Sequence, residues 1–194
     1  MKFILPLFLS ILFTSSLFSQ GKDIYLVNAS FEGEPSDATI PVGWFACAPG
    51  TTPDILPGPW GVYQEATEGE TFIGLITRGD GSFESIGQRL ASPLKRMECY
   101  SFSMDLAYSN TYAGYNRPIK VRVWAGKKKC EKRQLLAESE WIEDIDWNTY
   151  NFQFTAKENY FYLIIEAFYE ESRFSHQGNI LIDNVSALKW CTRA

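Results

Sequence analysis

Apolar and polar residues alternate with a period of two along most of the chain that follows residue 20. In residues 99–108, Tyr100, Phe102, Met104, Leu106 and Tyr108 fall on one face, and Ser101, Ser103 and Asp105 fall on the other. That pattern predicts a strand with one face in a core and one in water. Ile119, Val121, Val123 and Ala125 alternate in the same way with Lys120, Arg122 and Trp124, as do Tyr150, Phe152 and Phe154 with Asn151, Gln153 and Thr155. Residues 160–169 are apolar on both faces and predict a central, doubly covered strand. Residues 71–77 and 83–90 complete the series, which Gly, Pro, Asn and Asp clusters punctuate, and no segment carries a helical stripe. Some nine or ten short strands (roughly, from their spacing) predict an all-β fold, an antiparallel β-sandwich of jelly-roll type.

The run from Gly178 to Leu188 sets an acid–amide pair, Asp183 and Asn184, inside an apolar, β-prone stretch. A strand here is expected to fix a carboxylate at a sheet edge. Burying even a neutral polar group without a partner costs roughly 2–7 kcal/mol, so Asp183 requires a cation or hydrogen-bond donors. Near the start, Asn28-Ala29-Ser30-Phe31-Glu32 follows the short apolar run Ile24-Tyr25-Leu26-Val27 and supplies a second carboxylate. The first and last strands of a sandwich are expected to meet.

Charge and composition narrow the class. Met1-Lys2-Phe3 opens an apolar run that ends at Phe18 and turns polar at Ser19-Gln20, which reads as a secretory signal peptide over residues 1–19. Residues 20–194 then form one β-sandwich domain, secreted or held in the periplasm or at the cell surface, without a transmembrane segment. The net charge is −5, and the leader carries one Lys and no acid, so the exported part is more acidic still. That argues against nucleic acid as a partner, and Lys127-Lys128-Lys129 reads as a solvated hairpin tip. Four cysteines, Cys47, Cys99, Cys130 and Cys191, predict two disulfides in an exported chain. Three pairings satisfy the sequence; Cys47 with Cys99 and Cys130 with Cys191 is preferred, the latter tying down the C-terminus.

The chemistry sits in loops. Residues 48–61 are rich in Pro and Gly and too long for a hairpin, residues 109–118 carry Asn110, Tyr112, Tyr115, Asn116 and Arg117, and residues 170–178 carry Arg173, Phe174, His176 and Gln177. Loops that mix aromatics with polar donors commonly bind ligands. A sugar presents an apolar C–H face to an aromatic ring and hydroxyls to amides, acids or Arg. The candidates are therefore Tyr112 and Tyr115, with Asn110 and Arg117 beside them, Trp60 and Tyr63 after the Pro/Gly-rich loop, and Trp124 on the polar face of its strand. Trp44 and Trp147 are expected in the core. With one histidine, no GxSxG elbow and no paired His for zinc, the chain does not read as an enzyme. Arg78-Gly79-Asp80 falls where a hairpin turn is expected.

These pieces together resemble the carbohydrate-binding-module and galactose-binding-like jelly rolls of exported bacterial proteins. The likeness is carried by Asn28-Ala29-Ser30-Phe31-Glu32, Pro41-Val42-Gly43-Trp44, residues 99–104 and Ile182-Asp183-Asn184-Val185. The end of the leader, Phe18-Ser19-Gln20, is similar to those of Bacteroidetes. The resemblance implies a non-catalytic module that takes a glycan or another extracellular ligand. It also implies a structural calcium ion held by Glu32 and Asp183 with oxygens from around Asn28 and Ser30, with Asn184 standing where such modules carry a second acid. The alternative role is a structural or adhesive surface protein that contacts other proteins and has no sugar site; a small hydrolase is a third.

Overall fold

A computed structural model describes residues 22–169 and 176–191, so the leader at 1–19 and the loop positions Arg173 and Phe174 lie outside the described residues. The strands are β1 (Phe45–Ala46), β2 (Asp54–Leu56), β3 (Phe72–Thr77), β4 (Ser85–Leu94), β5 (Cys99–Ala107), β6 (Arg117–Pro118), β7 (Lys120–Gly126), β8 (Gln134–Glu138), β9 (Asn148–Thr155), β10 (Tyr160–Phe168), β11 (Gly178–Asp183) and β12 (Lys189–Cys191). One sheet runs β1-β4-β10-β7-β8; the other runs β12-β5-β11-β3-β2, with β9 on β5 and β6 on β11. All pairings are antiparallel except β6 with β11. The fold is the expected antiparallel sandwich. No helix among the described residues is long and apolar enough to cross a membrane.

The alternation in β5 does what its period implies: Tyr100, Phe102, Met104 and Leu106 are buried in the cluster between the sheets, with Val121, Val123 and Ile165 of the other sheet and Ile180 of their own. Each such side chain contributes roughly 1.5–3 kcal/mol on leaving water. β10 is central, between β4 and β7, and buried on both faces, with Leu163, Ile165 and Ala167 in the core and Ile164 and Glu166 buried on the other side. Trp44 is in the core, as expected. The chain ends do meet, although as a single bridge rather than paired strands: Ile24 and Leu188 exchange backbone bonds of 3.1 and 2.9 Å.

Three expectations are corrected. Asp183 does not lie at a sheet edge, because β11 is hydrogen-bonded between β5 and β3. The disulfides are Cys47–Cys130 and Cys99–Cys191, and no free cysteine remains. Cys99 and Cys191 are direct cross-strand partners of β5 and β12, so register determines that bridge. Cys47 reaches Cys130 across Gly87, where a Cβ would stand 2.9 Å from the Cys47 sulfur. The Pro/Gly-rich stretch at 48–61 is not all loop, since it contains β2, every residue of which is buried.

Candidate functional site

The second sheet also buries part of its outer face, over β2, β3 and β11. Phe72 and Ile76 of β3 lie on the face opposite the core residues Ile73 and Leu75, and their side chains join Leu56, Ala107, Leu181, Val62 and Tyr112 in a second apolar cluster. Two loops close over it. Pro59–Gly61 forms a 3-10 turn in which Trp60 has a left-handed φ of 54°, and residues 109–115 lie across it. Ala113 N–H donates to Trp60 O at 3.1 Å and the Thr111 hydroxyl donates to Gly61 O at 2.8 Å, stitching one loop to the other.

Tyr112 is the plug of this cover. It is 1% exposed, and Gly74 makes room for its ring, because a Cβ there would be 3.0 Å from Tyr112 Cε2. Its hydroxyl donates to Asp54 Oδ2, while Ala38 N–H donates to Asp54 Oδ1 at 2.8 Å. Burial pushes the Asp54 carboxyl up to about 6 against the lowering effect of those two donors. Burial, with Asp54 alongside, raises the Tyr112 phenol far beyond its ordinary range. The expectation that Tyr112 stacks on a sugar is therefore corrected: its ring faces Leu56, Phe72 and Tyr115 rather than solvent. Tyr115 is half-buried against the same cluster.

The base of the 109–115 loop is fixed by Asn179 of β11, which is fully buried. Its amide nitrogen donates to Ser109 O at 2.7 Å and Tyr115 O at 2.6 Å, and its oxygen accepts from Ser109 N–H at 2.9 Å. A side-chain amide with both polar ends satisfied holds an irregular backbone in one shape.

On the outside of this scaffold lies a groove of about 430 Å³ lined by Tyr63, Tyr108, Asn110, Ile145, Asp146 and Trp147, among others. Trp147 N–H donates to Glu65 O at 2.8 Å, and its ring meets Phe72 edge-on at 5.1 Å, so the floor is anchored in the apolar cluster. Gln64 bridges the walls by donating to Ile145 O at 2.9 Å. Tyr63 is 79% exposed and Ile145 51% exposed at the rim. Among the described residues, no hydrogen bond engages the Tyr63 hydroxyl, the Asn110 amide, or the Glu65 and Asp146 carboxylates, although all four side chains line the groove. An aromatic face, an amide and two acceptors thus converge on one depression. Of the seven residues expected to bind ligand, Tyr63 and Asn110 line it. Arg117 is exposed in β6, outside the groove, and Trp60, 45% exposed, spends its indole N–H on Asp37 at 3.0 Å.

Trp124 lies on the outer face of the other sheet, half-buried, donating to Glu166 at 3.2 Å. Glu166 is ion-paired with Lys132 of the β7–β8 connection. Residues 143–147 carry no sequence pattern that marks a groove; the one cue is Ile145, an apolar residue set among Glu143, Asp144 and Asp146. His176 stacks on Tyr169 at 5.2 Å, and its Nε2 is 2.7 Å from Pro118 O, a packing role.

The expected calcium ligands are occupied by donors. Asp183 is fully buried; its Oδ2 accepts from Thr67 N–H (2.8 Å), Thr67 hydroxyl (3.0 Å) and Glu68 N–H (3.0 Å), and its Oδ1 accepts from Asn184 N–H (2.6 Å). Burial raises its carboxyl against these donors. Glu32 accepts from the N–H groups of Glu70 and Thr71 at 3.2–3.3 Å. The Asn28 side chain is spent on Glu32 N–H, Glu32 O and Val42 O. No set of three or more His, Cys, Asp or Glu among the described residues is placed to hold a metal. Calcium asks for six to eight oxygens turned towards one point, and these residues, with their oxygens turned towards N–H groups, do not fit it.

No protein-family model and no curated protein matches the chain. Solved structures do. The chain is similar to the CBM22-1 xylan-binding domain from Paenibacillus barcinonensis Xyn10C, with 16% identity and a TM-score of 0.56, covering 91% of this chain and 99% of that one. It is also similar to the K3 cleaved adhesin domain of Lys-gingipain from Porphyromonas gingivalis w83, with 14% identity, a TM-score of 0.54 and coverage of 86% and 97%. A family 16 carbohydrate-binding module matches with 16% identity, a TM-score of 0.50 and coverage of 84% and 99%. The chain therefore has the jelly-roll fold of carbohydrate-binding modules, and identities this low speak for the fold alone.

Proposed function

We propose that this chain is an exported, non-catalytic module that binds carbohydrate in the groove beneath Tyr63. The observation that carries the reading is the convergence of an exposed Tyr63 with Asn110, Glu65 and Asp146, whose side chains make no hydrogen bond among the described residues, on a groove whose floor is fixed by Trp147. Tyr63 offers a flat face for sugar C–H groups, and the amide and carboxylates take up hydroxyls. Two carboxylates at the rim favour a neutral glycan over an anionic one. The apolar leader and the two disulfides support export. We read the frame as one that needs no calcium, a reading supported by the N–H groups of residues 67–71 that donate to Glu32 and Asp183. A screen of the protein against neutral glycans, repeated with Tyr63→Ala, tests the reading: binding by the parent and its loss in the variant is the expected result.

A further inference from the structure

The end of the sandwich opposite this groove has the contrary charge. The turn before β5 carries Lys95 and Arg96, the β7–β8 connection carries Lys127, Lys128, Lys129, Lys132 and Arg133, and the turn after β9 carries Lys157. These are eight cations with only Glu98, Glu131 and Glu158 among them, in a chain of net charge −5. The turns are fastened together: Arg96 N–H donates to Asn159 Oδ1 at 2.7 Å, Met97 N–H to Ala156 O at 2.7 Å, and Lys157 N–H to Gln134 Oε1 at 2.8 Å. Lys129 and Lys132 turn away, towards the Phe45 ring and Glu166.

At the centre of this end, Arg96, Lys127, Lys157, Glu158, Asn159 and Phe161 line a groove of about 490 Å³. Glu158 is shared by Lys127 and by Arg133, at 3.1 Å for the latter. Arg96 and Lys157 form no ion pair among the described residues, although both are exposed on the same groove. Phe161, 41% exposed, supplies an aromatic face beside them.

We propose that this groove is a second binding site, for an anionic polysaccharide bearing carboxylate or sulfate groups. Two free cations on a fixed frame, flanked by two more that share a single carboxylate, match a few anionic groups spaced along a sugar chain. Phe161 accounts for a sugar rather than bare phosphate, because it offers a surface to ring C–H groups. The acidity of the rest of the chain limits the footprint to a few residues and disfavours a long, dense polyanion such as nucleic acid. This site and the Tyr63 groove lie at opposite ends of β5 and β9, so either one fails without the other.

The experiment is native affinity electrophoresis of the whole protein in polygalacturonate, in heparin, and in fully methyl-esterified pectin as the neutral control. It is run for the parent, Arg96→Glu/Lys157→Glu, the milder Arg96→Ala/Lys157→Ala, and Tyr63→Ala. Retardation by polygalacturonate or heparin is expected, with the two gels separating carboxylate from sulfate. Binding should be roughly tenfold weaker at a few hundred millimolar salt, as screened charge contacts require. Both double variants should lose it and Tyr63→Ala should keep it. No retardation in either anionic gel, retention unchanged in the double variants, or tighter binding of single-stranded DNA or of phosphatidylserine vesicles would overturn the proposal.

Discussion

The Tyr112 hydroxyl donates to the Asp54 carboxylate beneath the 109–115 loop, joining residues 58 positions apart in a fully covered site. The loop that carries Asn110 thus rests on a buried phenol–carboxylate contact. Tyr112→Phe leaves the carboxylate short of a donor and should cost roughly 1–3 kcal/mol. Tyr112→Ala, which also empties the ring site, should cost roughly 3–5 kcal/mol. Chemical denaturation of the three proteins measures both, and a Phe variant as stable as the parent would remove the contact from the account.

Burial of the same carboxylate predicts a pH dependence. Asp54 is pushed up to about 6 in the folded chain, from an ordinary value of 3.8. The folded state therefore holds a proton that the unfolded state releases first. The stabilisation is complete below about pH 4 and is lost as pH rises through about 6, on the order of 1–3 kcal/mol in all. Asp54→Asn should flatten the stability profile across that window; an unchanged slope would assign the dependence to other groups.

Asn179 should hold the groove from below. Asn179→Ala removes three buried hydrogen bonds to Ser109 and Tyr115, a loss of roughly 2–4 kcal/mol. Amide exchange at Ser109 should accelerate more than exchange in β5, because the loop opens before the sheet. Equal acceleration in both would mean that Asn179 supports the whole domain rather than the loop.

Calcium and chelator should give the same melting temperature. The Asp183 oxygens already receive four donors, three of them backbone N–H groups. Asp183→Ala should cost roughly 3 kcal/mol or more, to the same extent with and without calcium. A calcium-dependent rise in the parent that vanishes in the variant would restore the metal.

Non-reducing peptide maps should join Cys47 to Cys130 and Cys99 to Cys191. Replacing Cys47 and Cys130 together by Ser should cost roughly 2–5 kcal/mol, since the bridge closes a loop of 83 positions. A cost near zero would show that the β7–β8 connection is held in place by its other contacts.

What the sequence made legible follows from period. Tyr100, Phe102, Met104 and Leu106 alternate long enough to declare a strand and its buried face, and the doubly apolar run at 160–169 declares a central one. β2 was hidden because Asp54–Leu56 is too short to show a period and sits between Pro53 and Pro57. Tyr112 was misplaced for a related reason. Off the strands, burial depends on what lies opposite, and the absence of a side chain at Gly74, 38 positions earlier, is what seats it. Cysteine spacing carries no pairing, since Cys47 and Cys130 stand 83 positions apart and meet only in the folded chain. The acid–amide pair at Asp183 was recognised as demanding partners, but whether those would be a cation or N–H groups depended on the path of residues 67–71, which nothing local determines.

The most direct test of the central claim is the affinity of the protein for neutral glycans, compared with Tyr63→Ala and with Asn110→Ala. Both substitutions are at exposed positions and should leave the folding stability within about 0.5 kcal/mol of the parent. The account predicts that the parent binds a neutral glycan, that Tyr63→Ala weakens binding by roughly tenfold or more through the lost stacking surface, and that Asn110→Ala weakens it to a smaller degree. A folded parent that binds no neutral glycan, or one that binds equally well without Tyr63, would contradict it.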